Sequence, residues 1–149
     1  MRFVLRPYRA ADFDRLWQID QACFAPGIAY SQMELSAFIM RRNAITLVAE
    51  SQETSIAGFA IAQPYRKTGR ILTLDIIAEA RRHGLASMLM HECEQRLRGR
   101  GCTEIYLETA VNNEPALRLY HKLGYEILRT LPAYYHAHGL DAFLMGKRL

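Results

Sequence analysis

The chain has 149 residues, half of them hydrophobic, which suffices for one domain with a core of its own. This composition excludes intrinsic disorder, and no apolar stretch reaches the ~18 residues that a membrane-spanning helix needs. Nineteen Lys and Arg residues against fifteen Asp and Glu residues leave a net charge of +4. That charge favours an anionic partner: a polynucleotide, a membrane surface or a phosphorylated cofactor.

The N-terminus and the cysteines bear on where the protein works. The opening MRFVLRP is typical of a strand and not of a signal peptide, so we expect a cytoplasmic protein. Cys23, Cys93 and Cys102 are odd in number and widely spaced, which fits neither a disulfide framework nor a thiolate metal site. We expect them to be reduced thiols in the core.

Hydrophobic periodicity divides the first half of the chain into a strand, two helices and a hairpin. The second helix has the clearest start, because Ser31 and Glu34 are spaced as a capping box. The polar segment SQETS predicts the hairpin turn, and residues 64–69 are predicted as a loop. The predicted bounds are Phe3–Arg6 for the strand, Ala11–Phe24 and Ser31–Arg41 for the helices, and Ile45–Glu50 and Ile56–Gln63 for the hairpin.

The second half of the chain alternates strands and helices. Residues 70–77 predict a central strand covered on both faces, with Leu72 and Leu74 on one face and Ile71 on the other. Apolar residues then recur at three- and four-residue intervals from Arg82 until Gly99, which predicts the longest helix. The remaining predicted elements are a strand over Glu104–Ala110, a helix over Asn113–Leu123, and strands over Tyr125–Thr130 and Asp141–Arg148.

The predicted element order is β-α-α-β-β-β-α-β-α-β-β. Because it combines antiparallel hairpins with strand–helix–strand units, it indicates an α/β or α+β fold with a mixed sheet. The sequence has no internal repeat and no linker-like segment, so these elements are expected to form a single domain over residues 1–149.

The short connection AEARRHGLA, between the central strand and the longest helix, is a candidate anion site. A helix start leaves N–H groups without intrahelical partners, and its dipole favours negative charge. Gly84 lets a phosphate approach the backbone, Ala86 is small, and Ser87 adds a hydroxyl donor. Arg81 and Arg82 add positive charge. The residues leave one alternative open, an ordinary strand–helix turn with a solvated basic corner.

Two sequence blocks resemble the GCN5-related N-acetyltransferase (GNAT) superfamily. RRHGLASML is similar to its Arg/Gln-x-x-Gly-x-Gly/Ala signature, whose backbone amides hold the pyrophosphate of acetyl-coenzyme A. NNEPALRLYHKLGYE resembles its Asn-x-x-Ala-x-x-Leu-Tyr-x-x-x-Gly-Phe/Tyr segment. Within the superfamily, YLETAVNNEPALRLYHKLGYE and AYYHAHGLDAFLM are similar to the bacterial ribosomal-protein-alanine N-acetyltransferase group. The resemblance implies a mostly antiparallel sheet of about seven strands flanked by about four helices.

By this resemblance, Glu108 takes the place of the general base and Tyr120 that of the general acid. Acetyl-coenzyme A is the implied cosubstrate, and no metal is implied. The residues expected at the cofactor are Leu74, Asp75, Ile76, Arg82, His83, Gly84, Leu85, Ala86, Ser87 and Asn113.

The chain also departs from the family pattern in four places. Ala78 and Ala80 replace the usual Pro and aromatic residue, and Ala86 replaces the second loop Gly. Ala110 replaces the Arg that commonly follows the strand Glu, and CFAPGIAYS is longer and less charged than the usual substrate-side loop. The first two departures bear on the cofactor, and the last two bear on the acyl acceptor.

Acetyl transfer to an amine also places its own demands on these positions. An α-amino group has a pKa near 8 and lysine one near 10.4, so a proton must leave before attack. The Glu108 carboxylate is suited to accept it, directly or through water. A backbone N–H in the central strand, for example that of Ile76, suits the oxyanion. Tyr120 suits protonation of the leaving thiolate.

Each of these side chains also has a structural interpretation. Glu108 is equally compatible with a solvent-facing strand position, and Tyr120 falls on the apolar stripe of its helix. His136 and His138 lack a third firm ligand nearby, so we expect no metal site there.

We therefore expect a mixed α/β domain that binds acetyl-coenzyme A and acetylates a primary amine by direct attack in a ternary complex. The resemblance favours a protein or peptide α-amino terminus as acceptor, with Tyr134 and Tyr135 in the substrate wall. A small amine or amino acid is the enzymatic alternative, and a ribosome- or nucleic-acid-binding module or a non-catalytic cofactor sensor are the others. Membrane binding and direct nucleic-acid binding are not expected, because the basic residues are scattered and no aromatic RNA-stacking signature occurs.

Overall fold

A computed structural model describes residues 2–52 and 55–149. The strands are β1 (Phe3–Pro7), β2 (Ile45–Ser51), β3 (Ser55–Tyr65), β4 (Thr68–Ile76), β5 (Glu104–Ala110), β6 (Glu126–Tyr135) and β7 (Leu140–Arg148). The helices are α1 (Phe13–Cys23), α2 (Gln32–Met40), α3 (Leu85–Gly99) and α4 (Glu114–Lys122), and short 3-10 turns span Ala10–Asp12, Ala78–Ala80 and His136–His138. The predicted element order is confirmed. None of the helices in these ranges is long and apolar enough to span a membrane.

All seven strands belong to one sheet, in the order β1-β2-β3-β4-β5-β7-β6. Every neighbouring pair is antiparallel except β4 and β5, which run parallel. These two strands pair only over Thr68–Arg70 and Glu104–Tyr106. Beyond these residues they diverge, and we call the gap between them the fork. The predicted mixed, mostly antiparallel sheet is confirmed, and the fork interrupts it at its centre.

Helices cover both faces of the sheet, so the core has two parts. The first core lies between α1 and α2 and one face of the sheet, and the second lies between α3 and α4 and the other face. Fully buried members of the first core are Leu16, Ile19, Leu35, Val48, Phe59 and Ile61. Fully buried members of the second core include Leu85, Leu89, Met90, Cys93, Leu97, Ile105 and Tyr125. Cys93 and Cys102 are buried free thiols, as predicted, whereas Cys23 is only partly buried.

A β-bulge in the β3–β4 hairpin decides which way β4 faces. The register shifts between Ile61 and Ala62, so that Leu72 opposes neither residue. Leu72 packs in the first core, whereas Ile71 and Leu74 pack in the second. The predicted placement of Leu72 and Leu74 on one face is therefore wrong, because the extra residue reverses the alternation beyond it.

Local signals located most element ends correctly. The capping box is confirmed: Glu34 N–H donates to Ser31 Oγ at 3.1 Å, and Ser31 N–H donates to Glu34 Oε1 at 3.0 Å. Asn113 caps α4 by accepting the Ala116 N–H at 3.3 Å. The antiparallel β2–β3 hairpin is also confirmed, although residues 53 and 54 of its predicted turn lie outside the described residues.

Three predicted bounds are wrong. Residues 64–69 are not a loop, because β3 and β4 stay paired as far as Tyr65 and Thr68. The longest helix begins at Leu85 and not at Arg82, since Arg82 has a φ of 65° that no right-handed helix contains. β6 continues beyond Thr130 to residue 135, where it still pairs with β7.

Candidate active site

A cavity of about 1080 Å³ opens at the fork. One part of its wall comes from the start of α3 and includes Arg82, Gly84 and Ser87, and we call it the loop part. Another comes from the segment between α1 and α2 and from the end of β6, and we call it the tyrosine part. The tyrosine part is lined by Tyr30, Tyr134 and Tyr135 among others. Glu108 and Tyr120 line the same cavity.

The loop part presents unsatisfied backbone N–H groups. Gly84 is the N-cap of α3, with a φ of 77° and no side-chain cap from the residues that the structure describes. The first helical hydrogen bond runs from Met88 N–H to the Gly84 carbonyl at 3.1 Å, so the three preceding amides have no intrahelical acceptor. No atom lies within 4 Å of where a Gly84 Cβ would stand. The start of this 15-residue helix is therefore open to an anion.

Eight of the ten residues predicted at the cofactor line the cavity: Leu74, Ile76, Arg82, Gly84, Leu85, Ala86, Ser87 and Asn113. Asp75 and His83 are not among the lining residues. The Asp75 side chain is buried, and the His83 ring packs edge-on against Phe3 with 6.5 Å between ring centroids. Arg81 lines the cavity, but its Nε donates to the Ile76 carbonyl at 3.3 Å and its Nη2 lies 3.8 Å from Cys23 Sγ.

The backbone of β4 offers an amide to the fork. Ile77 N–H donates to the Ala57 carbonyl at 2.9 Å, and Gly58 is the register partner of Ile76. This pattern makes Gly58 and Ile76 a non-hydrogen-bonded pair of the antiparallel ladder. The Ile76 N–H therefore points away from β3 and into the fork, where it can donate a hydrogen bond to the carbonyl oxygen of a bound molecule.

Glu108 is held by an arginine that the sequence analysis missed. Its Oε2 accepts from Arg70 Nε at 3.2 Å and from Arg70 Nη2 at 3.0 Å. Arg70 Nη2 also donates to the Tyr134 hydroxyl at 3.4 Å. The Glu108 side chain is 16% exposed and that of Arg70 is 43% exposed. Burial, and next the charge of Glu108, raise the pKa of Tyr134. The two charges face the tyrosine part of the cavity.

Tyr120 lies on α4 at the other side of the fork. It is 8% exposed and packs edge-on against Tyr125, with 5.8 Å between ring centroids. Burial is the largest cause that raises the pKa of Tyr120. The phenol therefore keeps its proton at neutral pH and is available as a donor.

Two buried carboxyl groups meet behind the cavity wall. Asp20 Oδ2 accepts the Tyr30 N–H at 2.7 Å, and Asp75 Oδ1 accepts the Thr73 hydroxyl. Burial raises the pKa of both groups, and the hydrogen bond with Asp20 raises the pKa of Asp75 further. These directions favour one shared proton, held on Asp75 beside Asp20, because two adjacent buried carboxylates repel each other when both are ionised.

Hydrogen bonds at Tyr30 hold the segment between α1 and α2 in place. The Tyr30 hydroxyl donates to the Leu72 carbonyl at 3.1 Å, and Trp17 Nε1 donates to the Tyr30 carbonyl at 3.1 Å. Gln21 donates to the same carbonyl at 2.6 Å. Tyr30 is thus a fixed part of the wall. Its role had no sequence signal, because these partners depend on how α1 packs on the sheet.

No cluster of three or more His, Cys, Asp or Glu side chains that could hold a metal ion occurs within the described ranges. Asp141, which follows the two histidines, accepts the Ala133 N–H at 2.8 Å. His138 contacts the Pro26 carbonyl through Nε2 at 2.5 Å. These polar groups therefore tie the β6–β7 turn to the rest of the chain.

The fold and the cavity agree with sequence comparison. The model of the acetyltransferase (GNAT) family matches residues 13–125, which is most of the chain. The chain belongs to the acetyltransferase (GNAT) family, and the predicted resemblance is confirmed. It is an N-acetyltransferase.

One relative matches nearly the whole chain, and another matches half of it at higher identity. The chain is 27% identical to an N-alpha-acetyltransferase of Saccharolobus solfataricus, over 99% of this chain and 93% of that protein. It is 40% identical to the N-alpha-acetyltransferase 30 of Schizosaccharomyces pombe over 50% of this chain and 49% of that protein.

Solved structures share the fold. The crystal structure of Ard1 from Thermoplasma volcanium has a TM-score of 0.89 at 24% identity, covering 100% of this chain and 99% of that one. The Escherichia coli ribosomal-protein-S18-alanine N-acetyltransferase has a TM-score of 0.87 at 21% identity, covering 99% and 94%.

Proposed function

We propose that this N-acetyltransferase uses acetyl-coenzyme A to acetylate the α-amino terminus of a peptide or protein. The observation that carries the proposal is the fork, where an open helix start and Glu108 line one cavity. The relatives described as N-alpha-acetyltransferases support an α-amine as acceptor. A single domain over residues 1–149 and a cytoplasmic location stay predictions.

The loop part suits the diphosphate of acetyl-coenzyme A. The amides of Leu85, Ala86 and Ser87 precede the first helical hydrogen bond and supply donors at the positive end of the helix dipole. Arg82 adds a formal charge at the cavity wall. The open space above Gly84 leaves room for phosphate oxygens against the backbone. The cosubstrate supplies a thioester, whose acetyl group the amine attacks directly.

Glu108, Ile76 and Tyr120 divide the proton and charge transfers of this attack. Glu108 accepts the proton of the acceptor ammonium group, which has a pKa near 8 in an α-amine. The Ile76 N–H donates to the oxyanion, because it points into the fork. Tyr120 donates its proton to the departing thiolate, since its raised pKa keeps it protonated until that charge develops.

Two conservative variants test these roles. Glu108→Gln and Tyr120→Phe are expected to lower kcat by about 10²- to 10⁴-fold, the usual contribution of general acid–base catalysis, while the Kd for acetyl-coenzyme A stays unchanged. Thiol release measures turnover, and titration calorimetry measures binding. Glu92→Gln is the matched control, because Glu92 lies in an exposed ion pair with Arg96 on α3. Unchanged turnover in either active-site variant would remove the role assigned to that residue.

An acceptor screen tests the α-amine. Peptides with free and blocked N-termini and a panel of small amines are incubated with acetyl-coenzyme A, and products are identified by mass. Peptides with a free N-terminus are expected to gain one acetyl group there, and N-terminally blocked peptides none. Modification of small amines alone would overturn the proposed acceptor class and leave the N-acetyltransferase activity standing.

A further inference from the structure

Arg70 is a cation inside the cavity for which acetyl transfer has no evident need. The other cavity arginines are accounted for: Arg81 is bound to the end of β4, Arg82 belongs to the loop part, and Arg118 lies 3.8 Å from Glu114 in an exposed ion pair on α4. Arg70 stands beside Glu108 in the tyrosine part. It is thus the cavity arginine closest to the proposed base by contact.

The Arg70–Glu108 pair places a cation beside the proposed proton acceptor. Both contacts of the pair end on the same carboxylate oxygen, Oε2. An acceptor whose amine reaches Glu108 therefore comes close to the guanidinium. A negatively charged group of the same acceptor would meet an opposite charge there.

The guanidinium has the capacity for such a substrate group. Arginine offers five N–H donors, and the contacts of Arg70 use only its Nε and Nη2 groups among the residues that the structure describes. Its side chain is 43% exposed, in contrast to 16% for Glu108, so the free Nη1 edge is reachable from the cavity. A substrate carboxylate can accept a charge-assisted hydrogen bond from this free group.

We propose that Arg70 selects acceptors that carry a carboxylate beside the amine, and that it binds this carboxylate through the part of its guanidinium that Glu108 and Tyr134 leave free. The inference rests on the proposed function of the same site and names its substrate class. The carboxylate has two possible sources, an acidic first side chain of a peptide or the α-carboxylate of a free amino acid. In both cases the acceptor's ammonium group faces Glu108 and its carboxylate faces Arg70.

Charge balance in the cavity supports this acceptor. An acceptor with one ammonium and one carboxylate group adds no net charge beside the Arg70–Glu108 pair, so each desolvated charge has an opposite partner. The other carboxylate in the tyrosine part, Glu34, is engaged with the Ser31 N–H at the start of α2. Tyr134 already touches Arg70 through its hydroxyl and adds an aromatic wall to the carboxylate site.

The test compares matched acceptors on the wild-type enzyme. One arm uses peptides that differ only in an Asp or an Asn at the first position, and the other uses free glutamate and glutaminamide, which lacks both carboxylates. We expect kcat/KM for the carboxylate member of the active arm to exceed that of its amide by about 10- to 100-fold, the range of a charged hydrogen-bonded contact. Equal rates within both arms would overturn the proposal without any variant.

Variants then assign the preference to Arg70. Arg70→Gln is expected to bring the acid-to-amide ratio close to one, and Arg70→Lys to keep part of it, since lysine retains the charge and loses the planar fork. Arg96→Gln, in an exposed ion pair outside the cavity, should leave the ratio unchanged. A preference for acids that survives in Arg70→Gln would contradict the assignment.

The outcomes separate this inference from the proposed function. Acetylation of free acidic amino acids alone, with dependence on Arg70, would support the carboxylate site and overturn the peptide acceptor. Equal acetylation of Asp- and Asn-peptides would support the peptide acceptor and overturn the carboxylate site. If Arg70→Gln does not fold, the wild-type ratio and Arg70→Lys still decide between these outcomes.

Discussion

The central strand β4 contributes one residue to each of two acidic sites, and the two sites differ in the partner of the acid. Near the start of β4, Arg70 pairs with Glu108 of β5 at the cavity surface, and both side chains are partly exposed. Five residues further along, Asp75 meets Asp20 in the interior, where burial and the second carboxyl group raise its pKa. The Arg70–Glu108 site contains a cation and opens to the cavity, whereas the Asp75–Asp20 pair has no cation among the described residues and lies in the interior.

This difference shows how one strand helps to build both the site of the proposed base and a closed acidic pair. The partner distinguishes them: Glu108 faces a guanidinium, whereas Asp75 faces a second carboxyl group, which favours its protonated form. Glu94 extends the comparison. It is 2% exposed, yet it has a cation: Lys147 Nζ lies 3.0 Å from its Oε2, and the Tyr125 hydroxyl donates to the same oxygen at 2.7 Å. The three sites therefore predict different responses to substitution.

Removal of Glu94 is expected to give the largest loss of stability. In Glu94→Ala, Lys147 and Tyr125 lose their common partner in a nearly closed environment, and the free energy of unfolding is expected to fall by about 3 kcal/mol. Chemical denaturation monitored by circular dichroism measures this. Glu92→Ala, an exposed position on the same helix, is the control and should change stability by less than about 1 kcal/mol. A loss as small as that of the control would show that the Glu94 cluster is not a buried pair.

Asp75→Asn is expected to stabilise the protein at alkaline pH. Because the pKa of Asp75 is raised in the folded state, its contribution to the free energy of unfolding is fully present below the pKa of the unfolded chain, near 3.9. That contribution is lost as the pH rises through the pKa of the folded state. Asn does not titrate, and its amide can donate to Asp20 as the shared proton does. The variant should therefore gain stability relative to the wild type as the pH rises from 4 to 8.

Unfolding curves at pH 4, 6 and 8 provide the measurement for Asp75→Asn. The advantage of the variant should shrink towards pH 4. Asp14→Asn, an exposed position on α1, is the control and should show no such trend. A wild-type protein whose stability does not fall relative to Asp75→Asn between pH 4 and pH 8 would contradict a shared proton.

Arg70→Gln is expected to have the smallest effect on stability. The ion pair with Glu108 is partly exposed, and such pairs contribute about 0–1 kcal/mol. The consequence of this substitution should appear in acceptor choice and not in the melting curve. If the free energy of unfolding fell by more than about 2 kcal/mol in chemical denaturation, Arg70 would contribute mainly to stability. The Arg70–Glu108 site would then not differ from a buried structural pair.

Structural features that depend on only a few neighbouring residues could be predicted from the sequence. The Ser31–Glu34 capping box, the Asn113 cap and the glycine before α3 each act on a neighbouring backbone, so residue type and spacing suffice. Glu108 and Tyr120 were located through family resemblance, and both line the cavity.

Features that depend on neighbouring strands could not be predicted. The bulge at Leu72 follows from the register against β3, and it turns Asp75 towards Asp20 on α1. The pairing of Arg70 with Glu108 requires that β4 and β5 be adjacent and parallel, which no local pattern specifies. For each of the two sites, the sequence offered one signal: a charged residue, Arg70 or Asp75, within the alternating apolar pattern of β4.

The most direct test of the account is calorimetric titration of acetyl-coenzyme A into the wild-type protein and into Gly84→Asp. We expect one site in the wild type and a loss of affinity in the variant, because a carboxylate at the open N-cap occupies the free amides and repels the diphosphate. Gly99→Asp, in open space at the other end of α3, should bind like the wild type. No binding to folded wild-type protein, or equal binding by Gly84→Asp, would contradict the account.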